Sequence, residues 1–163
     1  MRRGMWMAFI AVVALIVTGS PVFTTAAAPA YGWAHVTYVY DGDTIQVQFD
    51  TGERERVRLI GINTPEYDAC YGGNATSFTF AFVQAAGGWV WLEKDTSERD
   101  QYGRLLRYVW GEFPDGRRHL NEELVKTGHA EARAYRPDTR HSATFTSHAS
   151  TAERGGYGMY GAC

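Results

Sequence analysis

From residue 33 onward, short runs with apolar side chains at every second position give way to longer runs with apolar side chains at every third or fourth. Residues 33–40 (WAHVTYVY) and 44–49 (TIQVQF) are rich in β-branched and aromatic residues with an imperfect period of two. Asp41-Gly42-Asp43 between them is a turn signal, so the pair predicts a hairpin. A second turn at Asp50-Thr51-Gly52 leads to a third strand, 55–60, which runs into Asn63-Thr64-Pro65. Thr64 precedes proline and is held extended, and Pro65 has no N–H for a ladder, so side chains just beyond fall at a rim.

Residues 74–86 (NATSFTFAFVQAA), followed by Gly87-Gly88, predict a helix stopped by glycine, although the Thr and Phe content would also suit a strand. Strands are predicted at 89–93 and 105–110, with a polar loop over 98–103. Residues 119–127 place Leu120, Leu124 and Val125 at helical spacing before Gly128, and 141–154 predict a last, polar helix. Five short strands, one helix between the third and fourth, and helices at the end describe an α+β protein: a five-stranded OB-fold barrel with three α-helices. The pattern alone leaves other α+β folds open.

The first 30 residues read differently. Arg2 and Arg3 precede an apolar run from Met5 to Val17, then Thr18-Gly19-Ser20-Pro21 and a small-x-small site at Ala28-Pro29-Ala30. These are the parts of a secretory signal peptide, and the run is short of the roughly 17 to 25 residues of a spanning helix. A secreted, extracellular protein is expected, with 31–163 as its single domain. Losing Arg2 and Arg3 moves the formal charge from -2 to -4. Any affinity for a polyanion must therefore come from locally placed cations.

Two cysteines, Cys70 and Cys163, remain in the mature part, and in an exported chain a pair is expected to be bonded. No C-x-x-C spacing exists, and the five histidines show no metal-ligand pattern. A monomer without stable membrane association is expected.

The candidate chemistry lies in Asp41-Gly42-Asp43-Thr44, in the run from Arg58 to Glu66, and in Asp100-Gln101-Tyr102-Gly103-Arg104. Each motif alone would pass for an ordinary turn or strand end. Together they bring oxygen donors, a base and two guanidinium groups to one wall. Calcium takes six to eight oxygens, and Asp43, the side-chain oxygen of Asn63 and the backbone carbonyl of Thr64 would supply three. Glu66 would accept a proton from an attacking water. Arg58 and Arg104 would match the charge that gathers on the non-bridging oxygens of a phosphodiester. Tyr102 and Tyr135 are candidates for stacking on a base or sugar.

These motifs, with the run from Asn121 to Gly128 and the closing residues from Gly158 to Cys163, resemble the staphylococcal nuclease family in order and spacing over nearly all of the mature chain. The resemblance implies an OB-fold barrel and calcium-dependent cleavage of DNA and RNA to 3′-phosphorylated products. It further implies calcium ligation by Asp43 and Thr64, Glu66 as base, and Arg58 and Arg104 on the phosphate. One position departs: the family usually has Asp where this chain has Asn63, which removes a negative charge beside the ion and predicts weaker calcium binding. The alternative is a catalytically weakened nucleic-acid-binding module.

Overall fold

The structure, a computed structural model, describes residues 32–163. The signal peptide expected over 1–30 lies outside the described residues. Among those described, no helix is long and apolar enough to cross a membrane.

The hairpin expected at the start forms from β1 (Gly32–Val39) and β2 (Thr44–Gln48), and β3 (Arg54–Leu59) pairs antiparallel with β2. After β4 (Ile62–Asn63) and helix α1 (Gly72–Ala85), strands β5 (Trp89–Glu93) and β6 (Leu105–Phe113) continue the sheet on the other side of β1. A parallel pairing of β3 with β6, Val57 opposite Leu105 and Leu59 opposite Arg107, joins the ends. The five strands β1, β2, β3, β5 and β6 therefore close a ring, the OB-type barrel expected of the pattern. Ala34, Ile45, Val47, Val57, Val90, Leu92, Leu105 and Val109 are fully buried.

Helices α2 (Leu120–Lys126) and α3 (Ser142–Gly155) follow as expected, each stopped by a glycine at positive φ, Gly128 and Gly156. The sequence reading did not foresee β4 or β8 (Glu131–Ala132), which pair only with each other. It also missed β7 (Gly116–His119) and the single turn α4 (Met159–Ala162). Residue 119 was expected to open the helix; it closes β7 and caps α2.

The alternation in β1 is imperfect for a structural reason. The β1–β2 register shifts between Val36 and Tyr38, a bulge around Thr37. Before it the odd residues Trp33 and His35 face solvent, and after it the even residues Tyr38 and Tyr40 do.

Candidate active site

Asp43 sits at the barrel end, where the β1–β2 turn meets the end of β3. Thr44 stands opposite Arg58 in the β2–β3 ladder, which places the guanidinium beside the turn. Asp41 accepts the N–H of Asp43 at 3.0 Å, a local turn bond. The carbonyl of Asp43 accepts the N–H of Leu59 at 2.9 Å, and Thr79 of α1 donates to the carbonyl of Gly42 at 2.6 Å. A Cβ on Gly42 would lie 2.7 Å from Thr64 Cγ2 and 2.9 Å from Ala75, so only glycine lets helix, turn and strand end meet this closely.

The Asp43 carboxylate is almost fully enclosed. Its Oδ2 accepts the backbone N–H of Thr64 at 2.8 Å and faces Nη2 of Arg58 at 3.0 Å, while its Oδ1 accepts from the Thr44 hydroxyl at 3.2 Å. Burial pushes its pKa up to about 6 against the opposing pull of Arg58 and the Thr64 N–H, with Asp41 adding to the rise. Nη2 of Arg58 also donates to Oδ1 of Asn63 at 3.2 Å, and its Nη1 donates to the carbonyls of Leu59 and Ile62 at 2.8 and 3.1 Å.

Two oxygens, one from Asp43 and one from Asn63, thus converge on a single cationic nitrogen. The point therefore accommodates positive charge, here that of the Arg58 guanidinium, and its acceptors are hard oxygens. Asp41, Asp43, Thr44, Asn63, Thr64 and Glu66 line the cleft of about 270 Å³ at this point, with Arg58 and Arg104. Among the described residues no three or more His, Cys, Asp or Glu side chains gather as a metal cluster, so Asp43 and Asn63 are the side-chain oxygens here that could face a hard cation. The Thr64 side chain packs against Gly42, so only its backbone could contribute an oxygen.

Glu66 stands exposed at the rim, and among the described residues its carboxylate has neither an ion pair nor a hydrogen bond. Its backbone is fixed all the same. The Glu66 carbonyl accepts the N–H of Ala69 at 2.9 Å, and a Cβ on Gly72 would lie 1.7 Å from that carbonyl oxygen, so α1 begins directly against it.

Arg104 reaches the cleft from the loop before β6. Asp100 holds it, accepting from Nε at 2.7 Å and from the backbone N–H at 3.0 Å, and these contacts lower the Asp100 pKa against burial. Both arginines also line an adjoining cavity of about 410 Å³, whose walls include Tyr102, Gln101 and Tyr135. The structure therefore unites all of the expected site residues around two connected spaces, Tyr135 among them. Arg104 lies 5.4 Å from the centre of the Tyr102 ring.

Sequence reasoning missed Asp100 as the positioner of Arg104, although a carboxylate four residues before an arginine is a visible signal. It also missed Asn121, whose side chain donates to the carbonyl of Ile60 at 2.9 Å and accepts the N–H of Val109 at 3.0 Å. A polar residue in the apolar stripe of α2 was its trace. The expected disulfide is formed: Cys70 and Cys163 are bonded, and α4 ends against the loop that follows Glu66.

A closed five-stranded barrel with an oxygen-lined, two-arginine cleft at the strand ends defines the class: an OB-fold protein of α+β type. Residues 56–161 match the family described as staphylococcal nuclease homologue. The chain is 40% identical to a thermonuclease of Staphylococcus hyicus, over 65% of this chain and 62% of that one. It is 37% identical to a thermonuclease of Staphylococcus intermedius, over 81% of this chain and 80% of that one. The endonuclease YncB of Bacillus subtilis is 38% identical over 62% of this chain and 48% of its own length. The chain belongs to the staphylococcal nuclease homologue family.

Proposed function

We propose that this protein is a calcium-dependent nuclease that hydrolyses DNA and RNA to 3′-phosphorylated products. The observation that carries this reading is the gathering of Asp43, Asn63, Glu66, Arg58 and Arg104 around one cleft. The names of the relatives, thermonuclease and endonuclease, agree with it.

Asp43, the amide oxygen of Asn63 and the backbone carbonyl of Thr64 would hold calcium, which when bound supplies positive charge for a phosphodiester oxygen. The protein's own groups do the rest. Glu66, unpaired at the rim, takes a proton from water as the water oxygen bonds to phosphorus. The bond from phosphorus to the 5′ oxygen breaks, the leaving oxygen takes a proton from solvent, and a 3′-phosphate remains. Arg58 and Arg104 donate to the non-bridging oxygens, whose charge grows in the transition state. Tyr102 and Tyr135 hold the neighbouring base or sugar in the adjoining cavity.

The test is incubation of the folded protein with denatured DNA and with RNA, in calcium and in EDTA. Cleavage of both, in calcium alone and leaving 3′-phosphate ends, is expected. No cleavage of either across a calcium titration to millimolar and above overturns the enzyme reading, and binding without cleavage would assign the barrel as a nucleic-acid-binding module. In this reading residues 1–30 are a cleaved leader and the exported protein acts as an extracellular monomer; N-terminal sequencing and sedimentation of the exported protein check the two points separately.

A further inference from the structure

A second groove, of about 420 Å³, runs between β1 and α1 and shares no lining residue with the Tyr102 cavity. Three exposed rings line it: Tyr38 from β1, Phe80 from α1 and Tyr67 from the loop after Glu66, at 57%, 54% and 69% exposure. Single exposed apolar residues need no explanation, but three rings facing one groove are a patch.

Local structure puts each ring there against its surroundings. The bulge around Thr37 turns Tyr38 and Tyr40 outward together, with ring centres 4.8 Å apart. Arg56 of β3 lies over the Tyr40 ring at 4.3 Å, bringing a cation to this end of the patch. Phe80 stands between Ser77 and Gln84 on the solvent face of α1, where packing does not call for an aromatic.

Chain neighbours link the groove to the cleft. Tyr67 directly follows Glu66, and Tyr40, against Tyr38, directly precedes Asp41; Glu66 and Asp41 both line the cleft. The remaining groove walls are Val, Thr, Ser and Gln, with no acidic side chain to repel a phosphate backbone. Flat rings, hydroxyl and amide groups and an uncharged wall suit unpaired bases and their sugars, since every base has a face to stack and a duplex keeps its faces covered.

The geometry points to this groove as an extended subsite for single-stranded nucleic acid: the strand leaving the cleft past Glu66 lays its next bases on Tyr67, Tyr38 and Phe80. The inference rests on the nuclease reading only for the strand's entry into the cleft. It deepens that reading by assigning where a longer substrate goes and why an unpaired one fits better.

The test measures binding in EDTA, where no turnover occurs, by fluorescence anisotropy. The probes are a labelled oligo-dT too short to leave the cleft, a long oligo-dT, and the long strand annealed to oligo-dA. The proteins are the parent, Tyr38→Ala/Tyr67→Ala/Phe80→Ala, and Trp33→Ala as an exposed ring outside the groove. The parent should gain affinity with strand length and favour the single strand. The triple variant should lose at least about fivefold on the long single strand and lose much of the gain from length, because each stacked base contributes a factor of that order or more. Trp33→Ala should keep the gain. Equal affinity of parent and triple variant for the long strand, both folded by circular dichroism, overturns the subsite, as does an equal loss on short and long probes. An effect of the groove variants on lipid vesicles or a protein ligand but not on oligo-dT would give the groove another partner and likewise overturn it. Failure of the nuclease reading shows separately, as absence of cleavage by the parent in calcium.

Discussion

At residue 63 the side chain sets how much negative charge stands beside Arg58 in the cleft. The Asn63 amide oxygen and the Asp43 carboxylate share Nη2 of Arg58 at 3.2 and 3.0 Å, yet only one of them carries full charge. Asn63→Asp adds a carboxylate without changing side-chain size and should tighten calcium binding on the order of tenfold, because ligand charge is a main control on affinity. Calorimetric titration measures it; an unchanged or weaker affinity would show that residue 63 does not face the ion. In the metal-free protein the added charge meets Asp41, Asp43 and Glu66, and Arg58 offsets part of that repulsion. The two arginines differ as tests of transition-state stabilisation. Arg58 also bonds the carbonyls of Leu59 and Ile62, so its loss would disturb the strand end. Among the described residues the Arg104 side chain has only Asp100 as a hydrogen-bonded partner, so Arg104→Ala is the cleaner variant. Its kcat should fall by roughly 10²–10³ with much less change in substrate affinity, the pattern of a group that acts on developing charge. A variant that binds weakly but turns over normally at saturation would refute the assignment.

At the scale of elements, His119 joins β7 to α2 and is almost wholly enclosed. Its ring stacks on Trp110 at 4.1 Å between centres and meets Tyr108, His141 and Phe145, with Glu122 3.7 Å from its Nδ1. Neither ring nitrogen has a hydrogen-bond partner among the described residues. Burial, assisted by repulsion from His141, pushes its pKa down to about 3, against 6.5 in an unfolded chain. The unfolded protein therefore takes up this proton first. The stability contributed by the neutral ring is present above pH 6.5 and is lost progressively as pH falls towards 3, by at most about 1.4 kcal/mol per pH unit. His119→Phe keeps an aromatic ring and removes the titration, so urea unfolding at a series of pH values should show a shallower acid loss than in the parent; parallel curves would remove His119 from the account. β7 also marks the limit of what periodicity reveals. Its GRRH has no apolar alternation, since Arg117 and Arg118 lie exposed on an edge, paired with Glu112 and Asp115. Strands β4 and β8 are two residues each and exist only through a partner nearly 70 residues away, so no local pattern could announce them. The longer strands and helices were legible because their apolar faces repeat against one core. The site was legible where chemistry sits within a motif, as from Asn63 to Glu66. It was not legible where a residue such as Asn121 acts on a distant backbone.

Across the whole molecule, the ring is closed by hydrogen bonds between β3 and β6, and the chain is closed a second time at its end. Met159 donates to the carbonyl of Gly128 at 2.9 Å, at a contact so close that a Cβ on Gly128 would lie 2.2 Å from the Tyr157 carbonyl oxygen. Beyond this, Cys163 is bonded to Cys70 across 93 positions. Closing so long a loop restricts the unfolded chain far more than the folded one, and the chain-entropy model gives up to about 4 to 5 kcal/mol. Local structure at the cleft does not depend on that bond in the same way. The Glu66 segment is held by the Ala69 N–H and by the close seat of Gly72, and Asp43 by Thr64, Thr44 and Arg58. Two measurements on Cys70→Ser/Cys163→Ser should therefore diverge. Its urea unfolding free energy should drop by several kcal/mol relative to the oxidised parent, while its kcat under conditions where both remain folded should stay within a few-fold of the parent. A stability loss below about 1 kcal/mol would mean that the unfolded chain is not constrained as the loop length implies. A collapse of kcat in the folded variant would mean instead that the bond positions Glu66, four residues away, and that the tail is part of the site.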